Sequence, residues 1–243
     1  MLSTLRAINI RYTQGIINPY IPRTVIDSTP ILLSLKLALW TLLLLLPLGI
    51  LIAYHLTKLD RFKPWCEGLF ALPLVLPPTV LGYYLLVGLS GKSILGHSLV
   101  FSFLGILIAS LVVNLPFAIQ PIQRAFEAIN PNLLEAAQVS GLSNWQIFRL
   151  VQMPLAWSGV LSAAVLTFAH TLGEFGVVLM IGGAIPGETK TISIAIYDRV
   201  QTFDGATAGR LSLSLLIVSL IAIALSYGVL RRPRFIRDGQ HHA

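Results

Sequence analysis

Five long apolar segments alternate with polar stretches along this chain of 243 residues. They cover residues 31–54, 65–89, 101–120, 155–181 and 211–230. Each has about the 20 mostly apolar residues that a helix needs to cross the hydrocarbon core of a bilayer. The pattern predicts an all-α fold, a polytopic membrane helix bundle with about five spanning helices.

Prolines predict where these helices bend or end. The second segment holds three prolines, among them the adjacent pair Pro77 and Pro78, which should kink or break its helix. Pro121 should end the third helix, and residues 122–154 should form a polar stretch before the fourth. Residues 182–210 should form a second polar loop.

The composition agrees with a membrane protein. Only 11% of the residues are charged and the mean hydropathy is +0.79, too few charges to cover the surface of a soluble domain. The net charge of +7 lies in the gaps and in the tail, as membrane insertion requires, so we expect lipid and no nucleic acid as a partner. One cysteine, Cys66, excludes an internal disulfide and a multi-cysteine metal site, and we expect it to be a packing residue.

The basic residues also predict the orientation. Five spans place the two ends on opposite sides, and the basic residues divide almost evenly between those sides. The four arginines directly after the fifth segment decide the orientation, because charges close to a membrane end count most. We therefore expect an outer N-terminus with an interfacial segment at 1–30, a membrane domain at 31–230 and a basic cytoplasmic tail at 231–243.

The polar stretch between the third and fourth segments carries the clearest local signals. Asn130 followed by a proline indicates a helix start, and Gly141 suits a left-handed helix end. Ser143 and Gln146 have the spacing of a capping box, which would open a second short helix that ends at Pro154. Two short amphipathic helices with a bend between them suit docking into the groove of a partner.

This stretch resembles the EAA loop of ABC-importer permeases. A Glu-Ala-Ala triplet is followed after three residues by a glycine, and then by a hydrophobic-rich stretch that ends at a proline. The resemblance implies a coupling helix that sits in a cleft of a cytoplasmic ATPase. The residues expected in this coupling loop are Glu135, Ala136, Ala137, Gly141, Phe148 and Pro154.

Further runs, at 72–86, 172–191 and 192–200, are similar to permeases of the molybdate and tungstate type. The similarity covers residues 29–228, and sulfate and thiosulfate permeases are close relatives with similar loops. The resemblance implies the transmembrane-domain fold of type I ABC importers in the plasma or inner membrane. The cargo would be a tetrahedral oxyanion, molybdate or tungstate, with sulfate or thiosulfate as the alternative.

The same resemblance implies the partners, which are two ATPase subunits, an extracytoplasmic oxyanion-binding protein and a second copy of this chain. A separate ATPase agrees with the residues. The run at 88–93 ends like a phosphate-binding loop, but Leu86 stands where that motif requires its first glycine. We expect no enzyme activity, because the energy must come from another subunit.

His170 and Glu174 raise two other functions. They lie four residues apart and so share a helix face, where such a pair could bind a metal or move protons. A metal would want a third protein ligand, so we expect neither a metal nor a cofactor. A proton-coupled secondary transporter and a membrane-embedded enzyme are the alternatives, and neither needs a coupling loop.

The pore or gate candidates lie where prolines and glycines interrupt the apolar segments: Pro77, Pro78, Gly173, Glu174, Phe175 and Gly176. A bare carboxylate in the hydrocarbon zone is costly and would repel a passing anion. Our hypothesis is that Glu174 is a structural lock. It would either pair with His170 or accept hydrogen bonds from backbone N–H groups freed at a helix break.

Four cations on or near the outer loops are candidate anion contacts: Lys92, Lys190, Arg199 and Arg210. We favour the simpler interpretation that they anchor the chain at the interface or are solvated. A transport path should bind its cargo weakly, since a tight site would hold the ion, so specificity would belong mainly to the external binding protein.

Overall fold

A computed structural model describes residues 28–91 and 99–230 of the chain. The secondary structure of the described residues consists of helices, which are α1 (Thr29–Leu56), α2 (Lys63–Val75), α3 (Pro78–Ser90), α4 (Phe103–Glu127), α5 (Pro131–Val139), α6 (Asn144–Ile147), α7 (Met153–Gly173), α8 (Gly176–Gly182), α9 (Ile192–Gln201) and α10 (Gly205–Leu230). Lys92, the tail at 231–243 and all but the last residues of the predicted segment 1–30 lie outside the described residues.

Four of these helices are long and apolar enough to cross a bilayer: α1, α4, the continuous helix Asn144–Gly173, and α10. The bent pair α2 and α3 passes the same test when its two helices are taken together, which makes five. The predicted polytopic helix bundle is therefore confirmed. Its second span differs from the others in being broken.

The break between α2 and α3 has a direct cause in the sequence. The two helices meet at an angle of 105°, and the residues between them, Leu76 and Pro77, are extended with ψ of 136° and 138°. A proline disfavours the helical conformation in the residue before it. Leu76 precedes Pro77 and Pro77 precedes Pro78, so two successive residues leave the helix. The predicted break is confirmed.

The expected end of the third helix at Pro121 is wrong. α4 continues through Pro116 and Pro121 as far as Glu127. Proline is tolerated inside a spanning helix where neighbouring elements support the backbone groups that its ring leaves unpaired. α4 has such support, because it packs against both α1 and α7.

The expected helix end at Pro154 is wrong as well. α6 runs into α7 through a π-helical turn at Phe148–Gln152, which makes one helix of 30 residues. A proline inside an α-helix removes a hydrogen bond and crowds the carbonyl four residues earlier, here that of Leu150. A π-turn widens the helix at that point and makes room for the ring. The predicted coupling loop is thus joined rigidly to the fourth span.

The fourth apolar segment, expected as one span at 155–181, consists of two helices. α7 ends at Gly173 and α8 begins at Gly176. Glu174 between them is extended with ψ of 128°, and Phe175 is also outside the helical region. A helix break at the two glycines is what the lock hypothesis for Glu174 requires.

The second polar loop, expected at 182–210, is not wholly irregular. It contains α9 and the start of α10, which begins six residues before the apolar run at 211–230. Asp204 caps α10, because its carboxylate accepts a hydrogen bond from the backbone N–H of Thr207 at 3.1 Å. Polar residues at a helix start hide that start from a hydropathy pattern.

Small residues allow the spanning helices to approach closely. A Cβ on Gly159 of α7 would lie 2.3 Å from the Cβ of Ala125 and 2.6 Å from the carbonyl oxygen of Pro121, both in α4. Gly49 of α1 faces Ala118 of α4 in a similar way. Close backbone approach at small residues is typical of membrane bundles, where apolar side chains gain little by leaving lipid. α4 is therefore the central helix of the described bundle.

Candidate functional site

The predicted coupling loop has the local structure that its sequence indicates. The Asn130 side chain caps α5 by accepting a hydrogen bond from the backbone N–H of Asn132 at 3.0 Å. Gly141 follows α5 with φ of +80°, a left-handed conformation that glycine adopts without strain. Ser143 and Gln146 form the capping box that opens α6. α5, the turn and α6 lie at one end of the bundle, called here the coupling end.

One side of this loop packs against the bundle and the other is exposed. Ala137 is buried, and Leu134 and Phe148 contact a core cluster that includes Ala53 and Ile129. The exposed side combines polar and apolar groups: Leu133, Glu135, Ala136, Val139 and Trp145. The most exposed of these large apolar residues is Val139, at 90%. Apolar side chains on a turn outside the spanning helices form a surface that a partner could cover.

Aromatic rings hold the coupling loop to the spanning helices. The ring of Phe148 lies 4.7 Å from Tyr54 of α1 and 6.2 Å from Phe126 of α4, measured between centroids. Trp145 stacks on the outer side of Phe148 at 5.5 Å. The sequence analysis named Phe148 but missed Tyr54 and Phe126. Both residues belong to other helices, far from the loop in the sequence, so no local pattern indicates that they contact it.

A polar cluster ties α2 to α4 at the same end. Lys63 pairs with Glu127 at 2.9 Å. The side-chain amide of Gln123 donates hydrogen bonds to both Glu67 and Glu127. Cys66 lies within this part of α2, half-buried against the core cluster of the coupling end. The broken span is therefore fixed to the central helix at its first half.

The two helix breaks lie next to each other. A Cβ added to Gly176, at the start of α8, would lie 3.1 Å from the Cβ of Pro78, at the start of α3. α3 and α8 then pack along each other through Leu81, Val177 and Ile181. The structure thus brings together the two groups of predicted gate residues, although 98 positions separate Pro78 from Gly176 in the sequence. Interrupted helices of this kind form substrate paths in transporters.

Glu174 sits in the second break with its carboxyl side chain only 5% exposed. Its Oε2 lies 3.7 Å from Nδ1 of His170, a contact longer than a hydrogen bond. The backbone N–H of Val177 also interacts with the carboxylate. The second arrangement considered for the lock thus has one backbone donor, and the lock itself stays a prediction. Oε2 itself has no hydrogen-bond partner among the described residues.

The described basic candidates lie beside acidic or polar partners at the end opposite the coupling loop. Lys190 pairs with Asp198 at 2.5 Å and Arg199 with Asp204 at 3.5 Å, while Arg210 donates to the hydroxyl of Thr207 at 3.2 Å. The Thr207 hydroxyl, followed by its backbone N–H, holds the pKa of the Asp204 carboxyl below its usual value. Lys190 and Arg199, which are paired with carboxylates, fit anchoring better than anion capture. Within the described residues there is no group of three or more side chains that could hold a metal.

Comparison with known families and proteins gives a consistent result. Residues 45–234 match the family described as the binding-protein-dependent transport system inner membrane component. The chain belongs to this family. The helices that meet at the two breaks and the coupling loop all lie within the matched range. The chain is therefore a multi-pass transport component of the inner membrane.

Relatives within this family cover most of the chain. The molybdenum transport system permease protein ModB of Azotobacter vinelandii is 43% identical over 83% of this chain and 93% of its own. ModB of Haemophilus influenzae is 38% identical over 85% of this chain and 94% of its own. The sulfate transport system permease protein CysT of Escherichia coli is more distant, at 32% identity over 72% of this chain and 66% of its own.

Solved structures agree on the fold. A bacterial ABC transporter involved in the import of alginate superposes with a TM-score of 0.72, covering 87% of this chain and 81% of its own, at 19% identity. At that identity the likeness shows the fold alone. It places the ten helices of the described residues in the transmembrane-domain architecture of ABC importers, as the resemblance of the coupling loop implied.

Proposed function

We propose that this chain is the membrane-spanning permease subunit of an ATP-driven importer for molybdate or tungstate, with residues 31–230 as its permease domain. The observation that carries the proposal is the likeness to molybdenum permeases over 83% and 85% of this chain and over 93% and 94% of theirs. Sulfate, a tetrahedral dianion of similar shape, is the alternative cargo.

The coupling loop would receive the energy of ATP hydrolysis. The exposed side of α5 and α6 presents Leu133, Val139 and Trp145 beside the exposed Glu135. A short helical turn with an apolar surface outside the bilayer suits a groove in a second protein. The proposed partner is a cytoplasmic ATPase. The coupling end would then lie in the cytoplasm, with the N-terminus outside and the C-terminus inside.

The opposite end would face an extracytoplasmic oxyanion-binding protein. A second copy of the chain would complete the transport path. Exposed apolar residues continue across both halves of the broken span, among them Leu69, Val75 and Tyr84. An exposed apolar surface that large needs either lipid or another helix bundle to cover it. A second copy facing this surface would place two pairs of helix breaks around one central path.

Uptake by the reconstituted complex tests the proposal. The chain, its ATPase and a molybdate-binding protein are assembled in proteoliposomes, and uptake of radiolabelled molybdate is measured with and without ATP. We expect molybdate uptake to depend on ATP. Tungstate should inhibit it by competition, and an excess of sulfate should not inhibit it. The same assay with radiolabelled sulfate and a sulfate-binding protein tests the alternative, and uptake of sulfate but not molybdate would make the chain a sulfate permease. Uptake driven by a proton gradient without ATP would make it a secondary transporter.

A further inference from the structure

A line of polar side chains, buried except for the partly exposed His170, crosses the bundle and ends at Glu174. Thr41 of α1 donates to the hydroxyl of Ser110 at 3.2 Å, and the side-chain amide of Asn114 donates to the same hydroxyl at 3.3 Å. Thr41, Ser110 and Asn114 are all fully buried. His170 of α7 comes next, with Nδ1 at 3.1 Å from Oδ1 of Asn114. The line thus connects three spanning helices to the second break.

The partners of Asn114 fix which of its atoms faces His170. One end of its side chain lies 2.8 Å from the carbonyl oxygen of Ser110, which can only accept a hydrogen bond. That end must be the NH₂ group, so the oxygen faces His170. An amide oxygen can only accept, and therefore Nδ1 of His170 must carry a proton. Phe117 stacks on the imidazole at 4.2 Å between ring centroids.

The single proton on Nδ1 has two buried acceptors within reach. Asn114 Oδ1 is at 3.1 Å and accepts it, while Glu174 Oε2 is at 3.7 Å and has no partner among the described residues. A buried polar atom without a partner is rare and calls for a physical explanation. A small rotation of the imidazole would redirect the Nδ1–H hydrogen bond from Asn114 Oδ1 to Glu174 Oε2, while the proton stays on Nδ1.

We propose that Asn114 is a positioning residue, which competes with Glu174 for the Nδ1 proton of His170 and so makes His170 a two-position latch. In one position α7 is fastened to the central helix α4, and in the other to its own broken end. The latch would bias the geometry of the break between α7 and α8. Its role in gating rests on the proposed transport function, but its two positions do not.

The break can be monitored without measuring transport. Gly173 is exposed, and a Cβ added there meets nothing within 4 Å, so Gly173→Cys introduces a thiol at the break without a clash. In a Cys66→Ser background this thiol is the only one in the chain. The rate at which a maleimide modifies it, in the full complex in lipid nanodiscs, reports how open the break is.

Removing one acceptor should favour the other. Asn114→Leu releases His170 to Glu174, whereas Glu174→Gln weakens the second acceptor and favours Asn114. We expect the modification rate to change in opposite directions, each by about threefold to tenfold, the shift that one net hydrogen bond provides. A merely structural role would move both rates in the same direction. Asn114→Ala, which removes the same acceptor without added bulk, replaces Asn114→Leu if that variant does not assemble.

Two controls complete the test. Thr167→Val removes a buried hydroxyl one turn earlier on α7 whose Oγ1 has no hydrogen-bond partner among the described residues, and it should leave the rate unchanged. His170→Phe keeps an aromatic ring against Phe117 but removes the shared proton, so Asn114→Leu and Glu174→Gln should then have no effect on the rate. Changes in the same direction, no change in either variant, or effects that persist in His170→Phe would each overturn the latch. Loss of molybdate uptake alone would bear only on the proposed cargo.

Discussion

Gly141 is the residue on which the shape of the coupling loop depends most directly. Its φ of +80° lies in the left-handed region, and a Cβ at this position would meet nothing within 4 Å. A substitution therefore acts through backbone strain and not through a clash. The strain for a residue other than glycine is about 1–2 kcal/mol, and it is larger for a β-branched side chain.

We therefore predict that Gly141→Val abolishes transport-coupled ATP hydrolysis while the chain still inserts and assembles. Gly141→Asn is the matched control, because asparagine tolerates the left-handed conformation and should keep most of the activity. Glu135→Ala, on the exposed face of α5, should weaken the coupled hydrolysis less completely. ATPase assays of the purified complex with and without loaded binding protein measure all three. Normal coupling in both Gly141→Val and Glu135→Ala would contradict the assignment of the loop.

Glu174 tests whether charge or shape matters at the second break. Glu174→Gln keeps the size and most of the hydrogen-bonding capacity, so it should assemble and transport with reduced activity. Glu174→Ala leaves the buried backbone N–H of Val177 without its acceptor, at a cost of about 1–3 kcal/mol, and should destabilise or misgate the pore. Thermal stability in detergent and uptake in proteoliposomes separate the two effects. A glutamine variant that assembles normally but loses all transport would put the charge itself at the centre of the mechanism.

Residues that act on near neighbours could be predicted from the sequence, and residues that act across helices could not. The caps at Asn130 and Ser143 work within three residues, so their spacing is visible in the chain. Asn114 and His170 are 56 positions apart and meet because α4 and α7 pack together. An asparagine in an apolar segment indicates a buried partner but does not say which one.

At the scale of the elements, some prolines break their helix and others lie within one. Pro77 and Pro78 break a helix as expected, because two successive residues are forced to be extended. Pro121 and Pro154 do not end their helices. At Pro121, packing against α1 and α7 stabilises the helix. At Pro154, the π-turn widens the helix and accommodates the proline ring. Neither tertiary support nor a change of helix type can be seen in hydropathy or residue spacing.

The π-turn at Phe148–Gln152 sets the direction in which the coupling loop faces. Deleting Leu150, an exposed residue of that turn, should convert it to an ordinary α-helical turn and rotate α5 and α6 by about 100° relative to α7. We expect the variant to insert in the membrane, but the ATPase subunit should no longer copurify with it, because the exposed surface of the loop is then turned away from the ATPase. Leu150→Ala, which keeps the turn, should retain the ATPase. Retention by the deletion variant as well would show that the turn does not orient the loop.

At the scale of the whole molecule, the described bundle has two chemically different ends. The coupling end combines an aromatic cluster, the ion pair between Lys63 and Glu127 and an exposed apolar turn. The other end carries cations paired with carboxylates, such as Lys190 with Asp198. The number of spans follows from the sequence pattern, but the aromatic contacts and ion pairs that distinguish the two ends do not. The meeting of the two helix breaks does not follow either, because it depends on how α3 and α8 pack.

The orientation of this asymmetric bundle can be tested with the single native cysteine. Cys66 lies half-buried near the start of α2, one turn after Lys63, and so belongs to the coupling end. If the N-terminus is outside, a membrane-impermeant maleimide should not label Cys66 in intact cells but should label it in inverted vesicles. A permeant maleimide should label it in both, which shows that partial burial does not prevent the reaction, and Cys66→Ser should show no labelling in either. Labelling of intact cells by the impermeant reagent would reverse the orientation. It would also place the α5–α6 surface outside, where no ATPase could reach it, so one measurement tests both the topology and the coupling role.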